Sequence, residues 1–172
     1  MSDALPLDVD RLLAETFLAR VERHAEIGST NDRALDLAAG EPGPLPLLIV
    51  ADRQTAGRGR GVNRWWTGAG ALAFTLLVDL RRFGIAPASQ GMVSLVAGVA
   101  AVEAIAPRAP GHATGLHWPN DVFVSGKKLA GVLIEARRGR HAVGVGVNTN
   151  CTLREAPPEL HSTAATLLDL TG

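Results

Sequence analysis

Cysteine is almost absent from this chain: Cys151 stands alone among 172 residues. A lone cysteine forms no internal disulfide and excludes a cysteine-rich zinc framework. Net charge is absent as well, with 17 Lys plus Arg against 17 Asp plus Glu. A nucleic-acid-binding domain of this size normally carries excess positive charge. No nucleic-acid partner is expected, and any cationic site must be local. The histidines, His24, His112, His117, His141 and His161, are scattered. None pairs at i, i+4 around a glutamate, as a zinc hydrolase motif requires. No apolar run approaches the roughly 18 residues of a membrane span. The N-terminal stretch mixes charged and apolar residues and does not read as a signal peptide. These absences point to a cytoplasmic protein with no membrane partner.

What is present is a core. Hydrophobic residues make up 47% of the chain, enough to bury an interior and to exclude wholesale disorder. The length suits a single domain over residues 1–172. Val9, Leu12, Leu13, Phe17 and Val21 recur at helical spacing and predict a first amphipathic helix. "HAEI" reads as a short strand. "GSTNDRALDLAAG" predicts a helix capped by Ser29 or Thr30, with Asp32 in its first turn and Gly40 at its end. "PLPLLIVAD" and "ALAFTLLVDL" read as strands, and "SQGMVSLVAGVAAVEAI" as a long, central, apolar helix. From Gly115 to Asn150 consecutive strands are expected, turned at "SGKK" and "RRGRH". "STAATLLDLTG" begins a further helix. Helices mixed with consecutive hairpins predict an α+β domain with a largely antiparallel sheet.

Chemistry concentrates in four stretches. In "ADRQTAGRGRGVNRWW", Gly57, Gly59 and Gly61 alternate with Arg58 and Arg60, and Arg64, Trp65 and Trp66 follow. Glycine lets a backbone approach a ligand closely. Arginine offers a planar fork of donors suited to phosphate or carboxylate. Together they describe a mobile anion clamp, although a plain solvated loop has the same composition. The spacing fits neither a Walker loop nor a dinucleotide fingerprint. Trp65 suits either packing or cover for a flat ligand, and Trp66 suits the core. In "HWPND", Pro119 stiffens the chain where Asn120 and Asp121 emerge, and an ordinary Asn-Asp turn is the plainer reading. In "SGKKLAGVLIE", Lys128 either joins a solvated turn or points a fixed charge into a site. In "AVGVGVNTN", Val143, Val145 and Val147 share one face of a strand, and Gly144, Gly146 and Asn148 the other. The valine face is core. The glycine face leaves space for a ligand or for close packing.

The order of "GSTND", "ADRQTAGRGR", a following tryptophan, "WPND", "GKKLAGVLIE" and "GVGVNTN" resembles the catalytic domain of the biotin protein ligases. These are also called biotin–[acetyl-CoA-carboxylase] ligases, and the likeness runs from about Ile27 to Asn150. The resemblance implies an α+β domain like the class II aminoacyl-tRNA synthetase core. It implies two reactions at one site. The carboxylate of biotin attacks the α-phosphate of ATP to give biotinyl-5′-AMP, and a lysine of a biotin carboxyl carrier protein then displaces AMP.

It also implies roles. Ser29, Thr30, Asn31 and Gln54 would meet biotin, with Gly131 beside its rings. Gly57, Arg58, Gly59 and Arg60 would form the adenylate loop, which orders around its ligand. Arg58 and Lys128 would be the catalytic cations, and Lys128 would lie near the biotin carboxylate. Arg60, Arg64, Trp65, Asn120 and Asn148 would meet the nucleotide, and Asp121 the metal. ATP would bring Mg2+, held mostly by phosphates and water.

The chain departs from that pattern in places. Val62 and Asn63 occupy the slots of a Gly-Arg pair, with Arg64 one position later, and His117 replaces the lysine before "WPND". Relatives usually continue with the rest of the last helix and a small C-terminal β domain. No DNA-binding region precedes the matching part, so no repressor role is expected. Lipoate–protein ligase chemistry, or a non-catalytic biotin-binding module, would share much of this pattern.

Overall fold

The structure is a computed structural model that describes residues 7–172. Of the domain expected over 1–172, residues 1–6 lie outside the described residues. One seven-stranded sheet carries the fold, in the order β1-β2-β3-β7-β6-β5-β4. Its strands are β1 (Arg20–Ile27), β2 (Leu47–Gln54), β3 (Leu72–Val78), β4 (Thr114–His117), β5 (Asp121–Val124), β6 (Lys127–Arg137) and β7 (Arg140–Val147). The β1–β2 pair is parallel and every other pair is antiparallel. The mainly antiparallel α+β expectation holds.

Both hairpin turns form where they were read. Ser125 and Gly126 take φ of 48° and 81°, and Arg138 and Gly139 take 50° and 74°. Paired positive φ values match the right-handed twist of the flanking strands. Helix α2 (Thr30–Ala39) is capped by Ser29, whose side chain accepts from the Asp32 N–H, and it ends at Gly40. Helix α4 (Leu167–Thr171) is capped by Thr166.

Two helices are corrected. Helix α1 spans only Val9–Glu15, and Val21 belongs to β1, where it pairs with Leu48. Sheet pairing overrides the helical spacing there. Helix α3 (Val93–Ile105) is preceded by a 3-10 segment over Pro87–Met92 and is not central. It packs one face on β4, β5 and β6, while Met92, Val96 and Val99 are exposed.

The two main helices lie on opposite faces of the sheet. Ala34 and Ala38 of α2 pack on Leu47, Ile49, Leu77 and Ala142. Val93 and Ala97 of α3 pack near Val78, Val132 and Val143, which point the other way. Alternation of side chains along each strand produces this division. Val143, Val145 and Val147 therefore face core, as expected. Gly144 and Gly146 face the side where α2 begins.

Candidate active site

The start of α2 meets the glycine-bearing strand at the floor of the site. Ser29, Thr30 and Asn31 are all buried there. Thr30 donates its N–H to Gln54 Oε1 at 2.8 Å, and the two side chains meet at 3.1 Å. Thr75 of β3 is fully buried beneath them, 2.8 Å from Thr30 Oγ1 and 2.7 Å from Asn31 Oδ1. Asn31 also donates to Glu135 Oε2 at 3.1 Å. The glycine face is not bare. A Cβ at Gly144 would collide with the Asn31 amide, and one at Gly146 with the Trp65 ring. The glycines admit protein side chains, which in turn form the pocket wall. The cavity at this floor is about 30 Å³ and is lined by Thr30, Asn31, Gln54, Arg58, Trp65 and Gly131 among others. By itself that holds a water or two, and it shares Gln54, Trp65, Gly131 and Leu133 with a larger neighbouring cavity.

The arginine loop is a closed turn. Trp65 donates its N–H to Gly57 O at 2.9 Å, and Gly59 donates to Asn63 O at 2.9 Å. Gly61 takes φ +67° at the bend, and Val62 at the tip is 99% exposed. Gly57 is required because a Cβ there would strike the carbonyl of Trp65. The unusual Val62–Asn63 pair thus forms the tip and closing residue of a hairpin-like turn. The loop expected as an anion clamp thus carries backbone hydrogen bonds of its own.

The arginines divide. Arg58 donates Nη1 to Asp32 at 2.6 Å and Nη2 to Glu135 at 2.6 Å. Its pKa is raised, chiefly by the Asp32 hydrogen bond, against an opposing desolvation, with Glu135 adding to the rise. Its charge is answered by carboxylates of the protein. Arg60 and Arg64 make no ion pair among the described residues. Both line a cavity of about 780 Å³ beside the floor pocket, together with Trp65, Asn120, Asp121 and Lys128. Lys128 Nζ lies 2.8 Å from Asp121 Oδ2 and 5.8 Å from the centre of the Trp65 ring. A further cavity of about 390 Å³ runs past Arg64, Trp65, Trp66, Lys128 and Asn148. Trp66 is half-buried at its edge and is not a core residue.

Two amides read as nucleotide contacts are committed to the fold. Asn120 Nδ2 donates to Val132 O at 2.5 Å, and Asn148 Nδ2 donates to Ala165 O at 3.0 Å. Asp121 is a single carboxylate joined to Lys128, and no group of three or more His, Cys, Asp or Glu gathers among the described residues. The donor set does not make a protein metal cage. Asp32, Thr75 and Glu135 were not singled out in the sequence as site residues. A threonine inside the apolar run "ALAFTLLVDL" and a glutamate ending "AGVLIE" were the available signals.

Fold and site define the class: an α+β domain with a small polar pocket beside a larger cavity that Arg60, Arg64 and Lys128 line. Residues 26–150 match the Biotin/lipoate A/B protein ligase family, and the chain belongs to it. It is 38% identical over 148 residues to the biotin–[acetyl-CoA-carboxylase] ligase of Mycobacterium tuberculosis, covering 85% of this chain and 54% of the relative. It is 34% identical over 154 residues to the bifunctional ligase/repressor BirA of Bacillus subtilis, covering 87% and 46%. The biotin protein ligase of Aquifex aeolicus, solved in complex with biotin and ATP, superposes with a TM-score of 0.75 at 33% identity. That match covers 90% of this chain and 62% of the other. The chain spans about half the length of these curated relatives. No helix among the described residues is long and apolar enough to cross a membrane.

Proposed function

We propose that this domain activates biotin with ATP and passes it to a lysine of a carrier protein. One observation carries the reading: the polar floor around Thr30 and Gln54 adjoins the cavity into which Arg60, Arg64 and Lys128 face. Biotin has a polar ureido ring at one end and a carboxylate at the other. The floor suits the ring, and the cations suit the place where carboxylate and phosphate must meet.

In the first step a carboxylate oxygen of biotin forms a bond to the α-phosphorus of ATP. The bond to the bridging oxygen breaks and pyrophosphate leaves. Two anions repel on approach, and preplaced cations offset that repulsion and stabilise charge developing in transfer. Lys128, which pairs with Asp121 at 2.8 Å, would supply such a cation, and Trp65 and Arg64 flank the cavity that would take the nucleotide. Mg2+ would enter with ATP as its counterion, held by phosphate and water. In the second step a neutral lysine amine of a biotin carboxyl carrier protein attacks the acyl carbon. AMP leaves, and the amine proton passes to solvent.

Arg58 is read differently from Arg60 and Arg64. Paired with Asp32 and Glu135, it ties the loop to the floor, and the open cations act on the anion. The whole range 1–172 is read as one domain, working in the cytoplasm where ATP is at hand. Mass spectrometry of the chain incubated with ATP and biotin tests the reading. Biotinyl-5′-AMP is expected, along with exchange of labelled pyrophosphate into ATP that depends on biotin. Exchange with lipoate alone overturns it, as does biotin binding without any exchange.

A further inference from the structure

Three contacts in the pocket floor outnumber the protons available to them. Thr75 Oγ1 lies 2.7 Å from Asn31 Oδ1 and 2.8 Å from Thr30 Oγ1, and Thr30 Oγ1 lies 3.1 Å from Gln54 Oε1. Only the two hydroxyl protons serve these contacts, because an amide oxygen donates nothing. The Asn31 amide decides which contact goes unfilled. Its Nδ2 faces Glu135 Oε2 at 3.1 Å and the carbonyl of Leu133 at 3.4 Å. Both are acceptors, so the amide oxygen is fixed toward Thr75.

The rest follows in sequence. Thr75 gives its proton to Asn31. The Thr30 proton then has two acceptors in reach, and the 2.8 Å contact to Thr75, shorter than the 3.1 Å contact to Gln54, takes it. Gln54 Oε1 keeps the N–H of Thr30 at 2.8 Å but faces a hydroxyl oxygen with no proton for it. Thr30 Oγ1 and Gln54 Oε1 are left as neighbouring acceptors, and both residues line the pocket. Each donor in the chain points toward the Glu135 carboxylate, and each bond polarises the next. Arg58 clamps the other oxygen of that carboxylate at 2.6 Å.

We propose that Glu135 is a positioning residue that sets the donor–acceptor polarity of the pocket floor, so that the pocket selects a ligand edge carrying N–H. The inference rests on biotin being the ligand, whose ureido nitrogens are such an edge. A dithiolane ring offers no N–H there. Glu135 reaches the ligand only through Asn31, Thr75 and Thr30.

Isothermal titration of the full chain with biotin, and with biotin methylated on one ureido nitrogen, tests the proposal. Glu135→Gln removes the charge at nearly constant shape and lets an NH2 group face Asn31. Biotin binding is expected to weaken about tenfold. The preference for biotin over the methylated form is expected to shrink with it. Thr75→Val cuts the relay without changing any charge, and the same loss of preference is expected. Asp32→Asn loosens Arg58 but leaves Asn31 alone, so the preference should persist. Should Glu135→Gln not fold, as judged by circular dichroism, Thr75→Val decides. Folded variants that keep the wild-type preference overturn the proposal and leave the biotin reading standing. So does an equal loss of preference in Asp32→Asn, which would reduce Glu135 to a tie for the loop. A wild-type chain that does not bind biotin overturns the proposal together with that reading.

Discussion

Asn31 at the start of α2 and Gly144 in the middle of β7 share one space: the amide sits where a β-carbon would be. Gly144→Ala should therefore push Asn31 out of its bonds to Thr75 and Glu135. Overpacking of this kind costs about 1–3 kcal/mol. A lowered urea midpoint with weakened biotin binding is the expected pair of results. An unchanged midpoint would show that the amide moves aside without cost.

Lys128 lies 5.8 Å from the centre of the Trp65 ring, and its partner is a half-buried carboxylate. Lys128→Ala should slow pyrophosphate exchange about 100-fold, the scale of removing one preplaced electrostatic donor. The urea midpoint should barely move, because a partly exposed pair contributes under about 1 kcal/mol. Wild-type exchange in this variant would end the assigned role.

Arg64 stands one position after the slot that Asn63 fills, and it lines both larger cavities. Arg64→Ala should raise the KM for ATP about tenfold, as loss of a charge-assisted hydrogen bond does. Asn63→Arg should slow loss of biotinyl-5′-AMP, measured by filter retention. If Arg64→Ala leaves the KM untouched, Arg64 does not stand in for the displaced arginine.

His141 is buried in β7, and desolvation pushes its pKa below the ordinary histidine value, with Asp79 opposing and Arg81 reinforcing. The unfolded chain then binds more protons than the folded one as pH falls through the histidine range. The stability from this group is complete above about pH 6.5 and declines below it. Urea midpoints should be lower at pH 5.5 than at pH 7.5, and His141→Gln should narrow that gap. A gap of unchanged size would assign the pH dependence to other groups.

Local signals carried much of the fold. Ser29 as a cap, Gly40 as a stop and the turns at Ser125–Gly126 and Arg138–Gly139 depend on neighbouring residues alone. Valines alternating with glycines defined the two faces of β7 before any partner strand was known. Where a local pattern competed with sheet pairing it lost, as at Val21. The apolar run of α3 gave no sign of which residues would stay exposed, since it is apolar all round. Val96 and Val99 face solvent because the helix lies on the outside of the sheet.

The sequence by itself determined which chemical groups this protein has to offer: hydroxyls and an amide at a helix start, guanidinium groups on a glycine loop, and a lysine beside a turn. Only the tertiary structure decided how they are spent. Arg58 and Arg60 are indistinguishable in "GRGR", yet one meets two carboxylates and the other faces a cavity. Asn31 and Glu135 are 104 residues apart and become neighbours through the order of the sheet. Hydrogen-bond partners depend on side-chain direction across strands distant in sequence, and no local spacing encodes that.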